Sequence, residues 1–185
     1  MVELKIPFSR SVQKLLLERQ ARGLLRGWCF SKTRLHLLIN EYKDMKANYL
    51  PIDVNGLTVL DVGAGEGETA LFYLAYGAKK VICVEANPAC FSNLVLNSKK
   101  HNIVPVLEPF NVEMLNEFDF DFMKCDIEGY EEVLLDIDLV KPAVIEVHGL
   151  QLRDKFAEKG YRIGKRILEN GNYWTCSTSY AFWKC

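Results

Sequence analysis

Asp61-Val62-Gly63-Ala64-Gly65-Glu66-Gly67, with Glu85 closing the next apolar run, is the stretch that decides the fold of this chain. Leu57–Val62 is short, apolar and ends in an acid and a glycine, the pattern of a buried strand running into a tight loop. Gly63, Gly65 and Gly67 punctuate that loop. Glu68–Tyr76 then has helical character, and Gly77 is placed to end it. Lys80–Glu85 holds Val81-Ile82-Cys83-Val84, a fully apolar strand. Asn87 and Pro88 open a helix, with asparagine as cap and proline at the first helical position, and its face is Phe91, Leu94, Val95 and Ser98. Strand, loop, helix, strand, helix is the grammar of a parallel sheet.

The alternation continues toward the C-terminus. Val104–Glu108 reads as a third strand in which Pro105 suits only an early or edge position. Phe120–Cys125 is a fourth, ending at Asp126, and Glu131–Asp136 is a short helix after Gly129. Ala143–Val147 is a fifth strand, ending near His148-Gly149, and Leu150–Lys159 a helix with Leu152 and Phe156 on one face. Tyr161–Leu168 and Tyr173–Lys184 flank Asn170-Gly171, a hairpin signal, so the sheet is expected to finish in an antiparallel pair. Its Trp174, Tyr180 and Trp183 are expected in the core or the cleft wall. Toward the N-terminus, helices are expected over 9–27 and 32–48, the second with Ser31 as cap and Leu35, Leu38, Ile39 and Tyr42 on one face.

Composition sets outer bounds. With 49% hydrophobic and 25% charged residues over 185 positions, the chain is no disordered tail, collagen-like fibre or mucin-like stalk. A net charge of -1 gives the whole chain no pull on a polyanion. The distribution is uneven: residues 1–50 carry ten Lys/Arg against four Asp/Glu, and residues 51–185 thirteen against twenty. The chain therefore reads as a basic N-terminal helical appendage (1–50) on an acidic body (51–185). No run of 18 apolar residues exists, and MVELKIPFSR lacks the order of a signal peptide, so no membrane partner is expected. The six cysteines are irregularly spaced without a CxxC pair, which argues against a zinc site or disulfide framework and for a cytoplasmic location.

The glycine loop discriminates between cofactors. A dinucleotide fingerprint needs glycine where this chain has Glu68, and the phosphate loop of nucleotide hydrolases needs a Gly-Lys-Ser/Thr that is absent. An acid inside the loop repels a pyrophosphate and suits a cofactor with a positive end. Gly63 and Gly65 allow close backbone approach, and Glu85 at the second strand tip is placed to accept hydrogen bonds from a ribose diol.

These residues resemble the class I S-adenosylmethionine-dependent methyltransferases over about residues 52–184. The resemblance implies a Rossmann-like α/β fold with a mostly parallel seven-stranded sheet ending in an antiparallel hairpin. It implies S-adenosylmethionine as cofactor, with Asp61, Gly63, Gly65 and Gly67 around its methionine end, Glu85 on the ribose, and Asn87 and Asn111 near the ribose and adenine. Met123-Lys124-Cys125-Asp126-Ile127-Glu128-Gly129-Tyr130-Glu131 and Val144-Ile145-Glu146-Val147-His148-Gly149 look like segments of the FkbM-type methyltransferases, which implies O-methylation of small molecules and sugars. Glu85-Ala86-Asn87-Pro88 with Asn97 is similar to archaeal-type tRNA guanine methyltransferases, but Asp126-Ile127-Glu128-Gly129 stands where their Asn-Pro-Pro-Tyr-like segment belongs, against methylation of base amino groups.

If the sheet is parallel, Asp126, Glu128, Glu146 and His148 gather at the carboxyl ends of strands four and five, where open α/β sheets bind ligands. Asp126 is expected to line the cofactor pocket. Transfer to a hydroxyl requires removal of a proton, and His148 is the natural base, with Glu146 or Glu128 to orient it or act instead. The carboxylates and the histidine are also a set that can hold a divalent ion, although no metal is assigned. Substrate choice falls to residues 1–50, the loops after strands four and five, and the hairpin. A large substrate or a second copy of the chain in a homodimer are two ways to close so shallow a cleft. A small-molecule O-methyltransferase is the first expectation. An RNA or protein methyltransferase docking its substrate on the basic helices is the second, and a non-catalytic cofactor-binding protein the third.

Overall fold

A computed structural model describes residues 27–166 and 173–177. The helix expected over 9–27 (apart from Gly27), the Asn170-Gly171 turn and the side chains of Trp174, Tyr180 and Trp183 lie outside the described residues. The elements are α1 (Lys32–Tyr49), β1 (Thr58–Val62), α2 (Glu68–Ala75), β2 (Lys80–Glu85), α3 (Pro88–Ser98), β3 (Ile103–Leu107), α4 (Met114–Glu117), β4 (Phe122–Cys125), a 3-10 segment (Tyr130–Asp136), β5 (Ala143–His148), α5 (Leu150–Glu158), β6 (Arg162–Arg166) and β7 (Tyr173–Ser177).

The seven strands form one sheet in the order β3-β2-β1-β4-β5-β7-β6. β1 to β5 pair in parallel, and β7 runs antiparallel to both β5 and β6. The strand order reverses between β1 and β4, and the crevice at the C-terminal ends of these two strands is where such sheets bind ligands. β3 is an edge strand, which is where a strand containing Pro105 can sit without losing a ladder hydrogen bond on both sides.

Two apolar layers cover the sheet. Val59, Val81, Cys83, Phe122 and Val144 point to one side, under Leu38, Met45 and Tyr49 of α1, Phe72 of α2 and Leu94 of α3. Leu60, Ile82, Met123, Ile145 and Val147 point to the other, under Met114, Leu134, Leu152 and Phe156. Burial on both faces explains why the strands read as continuous apolar runs rather than alternating ones. Residues 27–50 are joined to this body, because the buried stripe of α1 is part of its core.

Local signals set the helix boundaries. Ser31 Oγ accepts Arg34 N–H at 3.3 Å to cap α1, and Asn87 Oδ1 accepts Ala89 N–H at 2.9 Å to cap α3. α4 goes unanticipated by the sequence reading: at four residues it is too short to show helical periodicity.

Candidate active site

The glycine loop crosses from β1 to α2 with all three glycines at positive φ: 73° for Gly63, 58° for Gly65 and 101° for Gly67. At Gly63 the need for glycine is steric as well, because a Cβ there would lie 1.8 Å from the Asp126 carbonyl oxygen. The loop is fastened to the tip of β2. Gly63 N–H and Ala64 N–H donate to the Val84 carbonyl at 2.9 and 3.1 Å. Gly65 N–H donates to Glu85 Oε2 at 2.7 Å and Asn87 N–H to Glu85 Oε1 at 2.7 Å. Glu85 is thus a rigid carboxylate held by backbone, with lone pairs left over for a ligand.

Two lobes open on this loop and share Arg34, Gly63, Gly65, Asp126 and Glu128 on their walls. The first, about 290 Å³, runs over the ends of β2 and β3 past Glu85, Asn87, Glu108 and Phe110. The second, about 260 Å³, lies under α1 over the ends of β4 and β5, and includes Glu41, Tyr49, Glu68, Lys124, Glu146 and His148.

The structure places three of the residues expected around the cofactor outside the lining of both lobes. Asp61 is completely buried beneath the loop and lines neither lobe. β1–β4 register places it beside Lys124, whose Nζ is 3.2 Å from Asp61 Oδ1, and Thr69 Oγ1 donates to Asp61 Oδ2. Asp61 therefore fixes the loop from below. Gly67 also lines neither lobe; it precedes α2 as its cap, with Trp28 and Leu94 packed where a Cβ would stand. Asn111 is exposed and sits before α4, its Oδ1 accepting Met114 N–H at 3.2 Å, while Glu108 and Phe110 line the first lobe. Gly63, Gly65, Glu85, Asn87 and Asp126 do line the first lobe.

In the second lobe the expected acid–histidine group comes together around His148. Glu131, buried completely, accepts Ile127 N–H at 3.0 Å and Gly129 N–H at 3.1 Å on Oε1, and the same oxygen is 2.9 Å from His148 Nδ1. Burial acts to raise the Glu131 pKa, but the hydrogen bonds from His148 and the backbone outweigh it and hold it below the ordinary range. An ionised carboxylate only accepts, so Nδ1 carries the proton and Nε2 is the basic nitrogen. His148 Nε2 lies 3.4 Å from Glu128 Oε2 and 3.8 Å from Asp126 Oδ1. Burial lowers the His148 pKa, yet the bond to Glu131 and the nearby carboxylates raise it above 6.5 overall. Asp126, Glu131 and His148 each offer a donor atom within 4.8 Å of the others, the set among the described residues able to hold a cation. With Glu131 Oε1 already accepting three donors, the geometry assigns that residue to orienting the imidazole.

Glu146 is a different kind of acid. It is buried, Tyr49 Oη–H donates to its Oε2, and its pKa is raised from the ordinary 4.5 to about 7, first by burial and then by Asp126. Glu68 is likewise pushed to about 7 by burial, and burial raises Asp126 and Glu41 too. Lys124 is the counterweight: burial alone would lower its pKa, but Asp61 and Asp126 hold it raised, and Nζ also donates to the Gly63 carbonyl at 3.0 Å.

Lys124, Glu131 and Asn97 stand in recognised segments but received no site role from the sequence, and Tyr49, Glu41 and Arg34 went unremarked. A lysine inside the apolar strand Phe122–Cys125 was a readable signal, since a buried ammonium needs a partner and the adjacent strand ends in an acid. Asn97 joins residues 28–30 to the loop: its Oδ1 accepts Cys29 N–H at 2.6 Å, and its Nδ2 donates to Cys29 O at 3.0 Å and Glu66 O at 2.8 Å. Tyr49, Glu41 and Arg34 reach the site only through the packing of α1, which no local pattern encodes.

No family model matches the chain. It is 32% identical over 76 residues to the ribosomal protein L11 methyltransferase of Colwellia psychrerythraea, a match covering 41% of this chain; the chain spans about a quarter (26%) of that relative's length. Among solved structures it is similar to Aeropyrum pernix fibrillarin crystallised with natively bound S-adenosyl-L-methionine (TM-score 0.59, 13% identity, covering 76% of this chain and 74% of the other). It is also similar to precorrin-6y C5,15-methyltransferase from Geobacter metallireducens (TM-score 0.54, 16% identity, 83% and 93%). The architecture of this chain is the Rossmann-like fold of the class I S-adenosylmethionine-dependent methyltransferases.

Proposed function

We propose that the chain is an S-adenosylmethionine-dependent methyltransferase that methylates a hydroxyl group of a small molecule or sugar. The observation that carries this is the pairing of two lobes across one rim, with Glu85 on one side and His148 Nε2 on the other. The residues fit the cofactor: Gly63 and Gly65 present bare backbone to both lobes, Glu85 offers fixed acceptors to a ribose diol, and the carboxylates around the junction suit a sulfonium. When bound, the cofactor supplies an electrophilic methyl group.

This chain's residues do the rest. Glu85 and Asn87 hold the nucleoside end. Asp126 lies at the junction of the lobes. His148 takes the acceptor's proton at Nε2, with Nδ1 anchored on Glu131. Glu128 stabilises the imidazolium that results, and Glu146 with Tyr49 holds a second exchangeable proton near pH 7. Within the basic segment 1–50, α1 walls the acceptor lobe with Leu37, Leu38, Glu41, Met45 and Tyr49. The FkbM-like segments Lys124–Glu131 and Val144–Gly149 supply His148 and its partners, which supports a hydroxyl acceptor.

A second reading is an RNA or protein acceptor docked on residues 1–50, favoured by their basic charge and by the L11 methyltransferase relative. Methyl-group transfer from labelled S-adenosylmethionine to a panel of hydroxylated small molecules, sugars, RNA and ribosomal protein separates the two. Label on the first classes, lost in H148Q, supports the proposal; label only on RNA or protein overturns the small-molecule assignment.

A further inference from the structure

Arg34 stands where α1 crosses the glycine loop. Its Nε is 3.6 Å from Glu68 Oε1, its Nη2 is 3.6 Å from Cys90 Sγ, and a Cβ on Gly65 would lie 3.4 Å from its Nη1. It lines both lobes. The walls it faces are lined by acids, with Glu41, Glu68, Asp126, Glu128 and Glu146 on the second lobe. Among the described residues two other cationic groups line that lobe, and each is committed. Lys124 is buried against Asp61, Asp126 and the Gly63 carbonyl. His148 is bound to Glu131. The Arg34 side chain keeps 39% of its surface exposed at the rim, so among the described residues it is the cation that a ligand can reach.

A carboxylate entering such a cleft is repelled on most sides and needs one cation within contact range. A guanidinium offers planar, paired N–H donors that match a carboxylate's two oxygens. With the nucleoside on Glu85 and the reacting centre at the junction of the lobes, the amino-acid tail of the cofactor runs along the shared rim beside Gly65. We propose that Arg34 binds the amino-acid carboxylate of the cofactor, so that α1 carries a cofactor subsite as well as part of the core. This inference rests on the cofactor reading above. It makes the N-terminal helix a part of cofactor recognition, and it makes Glu68 the resting partner that the carboxylate displaces or shares.

Titration calorimetry on the full chain tests it with two probes. S-adenosylhomocysteine has the amino-acid tail, and 5′-methylthioadenosine has the same nucleoside and thioether without it. R34Q is expected to weaken S-adenosylhomocysteine by about 10- to 100-fold, the range for a charged hydrogen-bonded pair, and to leave methylthioadenosine within about twofold. R34K is expected to recover part of the loss. Equal losses for both probes, or none for either, overturn the assignment. E68Q keeps the guanidinium and removes its resting anion, and is expected to hold S-adenosylhomocysteine as tightly as before or tighter; a tenfold loss there means the ion pair with Glu68, not the ligand carboxylate, is what Arg34 serves. If the folded wild-type chain binds neither probe, the cofactor reading fails and this inference with it, whereas binding of both with no difference at R34Q removes this inference alone.

Discussion

On the β2 side of the cleft the wall is shaped by backbone: Gly63 and Ala64 N–H on the Val84 carbonyl, Gly65 and Asn87 N–H on Glu85. On the β4–β5 side it is shaped by side chains brought from distant parts of the chain, Tyr49 against Glu146 across 97 residues and Lys124 against Asp61 across the β1–β4 register. The first side is a cradle fixed by backbone hydrogen bonds. The second is a buried array of acids, a lysine and a histidine whose protonation is tuned by burial and by one another. Such a division suits an enzyme that must hold one ligand in a constant pose and move a proton on the other.

The largest expected effect breaks the cradle. Gly63→Ala places a methyl group 1.8 Å from the Asp126 carbonyl at a φ of 73°, and the backbone must move. A loss of about 3 kcal/mol or more is expected in denaturant unfolding, together with loss of S-adenosylhomocysteine binding. Wild-type stability in this variant would mean that the loop does not pack on the β4 loop as described.

Next comes the proton-handling side. His148→Gln is expected to lower methyl transfer by about 10²- to 10⁴-fold and to leave S-adenosylhomocysteine affinity unchanged, as measured by initial rates beside calorimetry. A base must be neutral to accept a proton. The rate is therefore expected to rise with pH through a midpoint above 6.5, the direction in which Glu131, Asp126 and Glu128 shift His148. Glu128→Gln removes one of those anions, 3.4 Å away, and is expected to move the midpoint down. A midpoint unaffected by either change would remove His148 from the proton path.

The buried acids sharpen the comparison through stability. Glu146 and Glu68 ionise near 7 in the folded chain against 4.5 ordinarily, so between these values the folded state binds more protons than the unfolded one. Stability is expected to fall as pH rises from about 4.5 to 7, by an amount on the order of a few kcal/mol at most. His148 adds to this trend just above 6.5, since its folded pKa is also raised. Glu146→Gln is expected to flatten the slope of the melting temperature over this window, while Tyr49→Phe, by removing the hydrogen bond that favours the ionised form, is expected to steepen its upper end. A flat profile in the wild-type chain contradicts the described burial.

The smallest effect concerns Asn111. The hydrogen bond its side chain accepts from Met114 N–H is worth about 0.5–1.5 kcal/mol of stability, and Asn111→Ala is expected to leave S-adenosylhomocysteine affinity within twofold. A tenfold loss of affinity would return it to the cofactor site.

The same contrast explains how much was legible in the sequence. Glycines at positive φ, an acid at a strand tip and the Asn87–Pro88 helix start are local requirements of the chain, and each leaves a mark at a fixed spacing. The order of β1 to β5 follows from them and from the apolar runs. Asp61 shows the limit of such reading. Its place beside the loop was evident, but its direction was not, because strand alternation and register with Lys124 turn it beneath the loop rather than into either lobe. Glu131, similarly, stands in the recognised segment but acts through His148, 17 residues on, a contact made only when the 3-10 segment folds back under β5. Arg34 and Tyr49 depend on the docking of α1, a tertiary event without a local signature.

The most direct test of the central claim is titration calorimetry of the full chain with S-adenosylhomocysteine, with NAD⁺ and NADH in parallel and Glu85→Ala as the control. Micromolar binding of S-adenosylhomocysteine is expected, weakened by about 10- to 100-fold in Glu85→Ala while the fold is retained, with no response to the nicotinamides. A folded wild-type chain that ignores S-adenosylhomocysteine, or that binds a nicotinamide dinucleotide in its place, contradicts it.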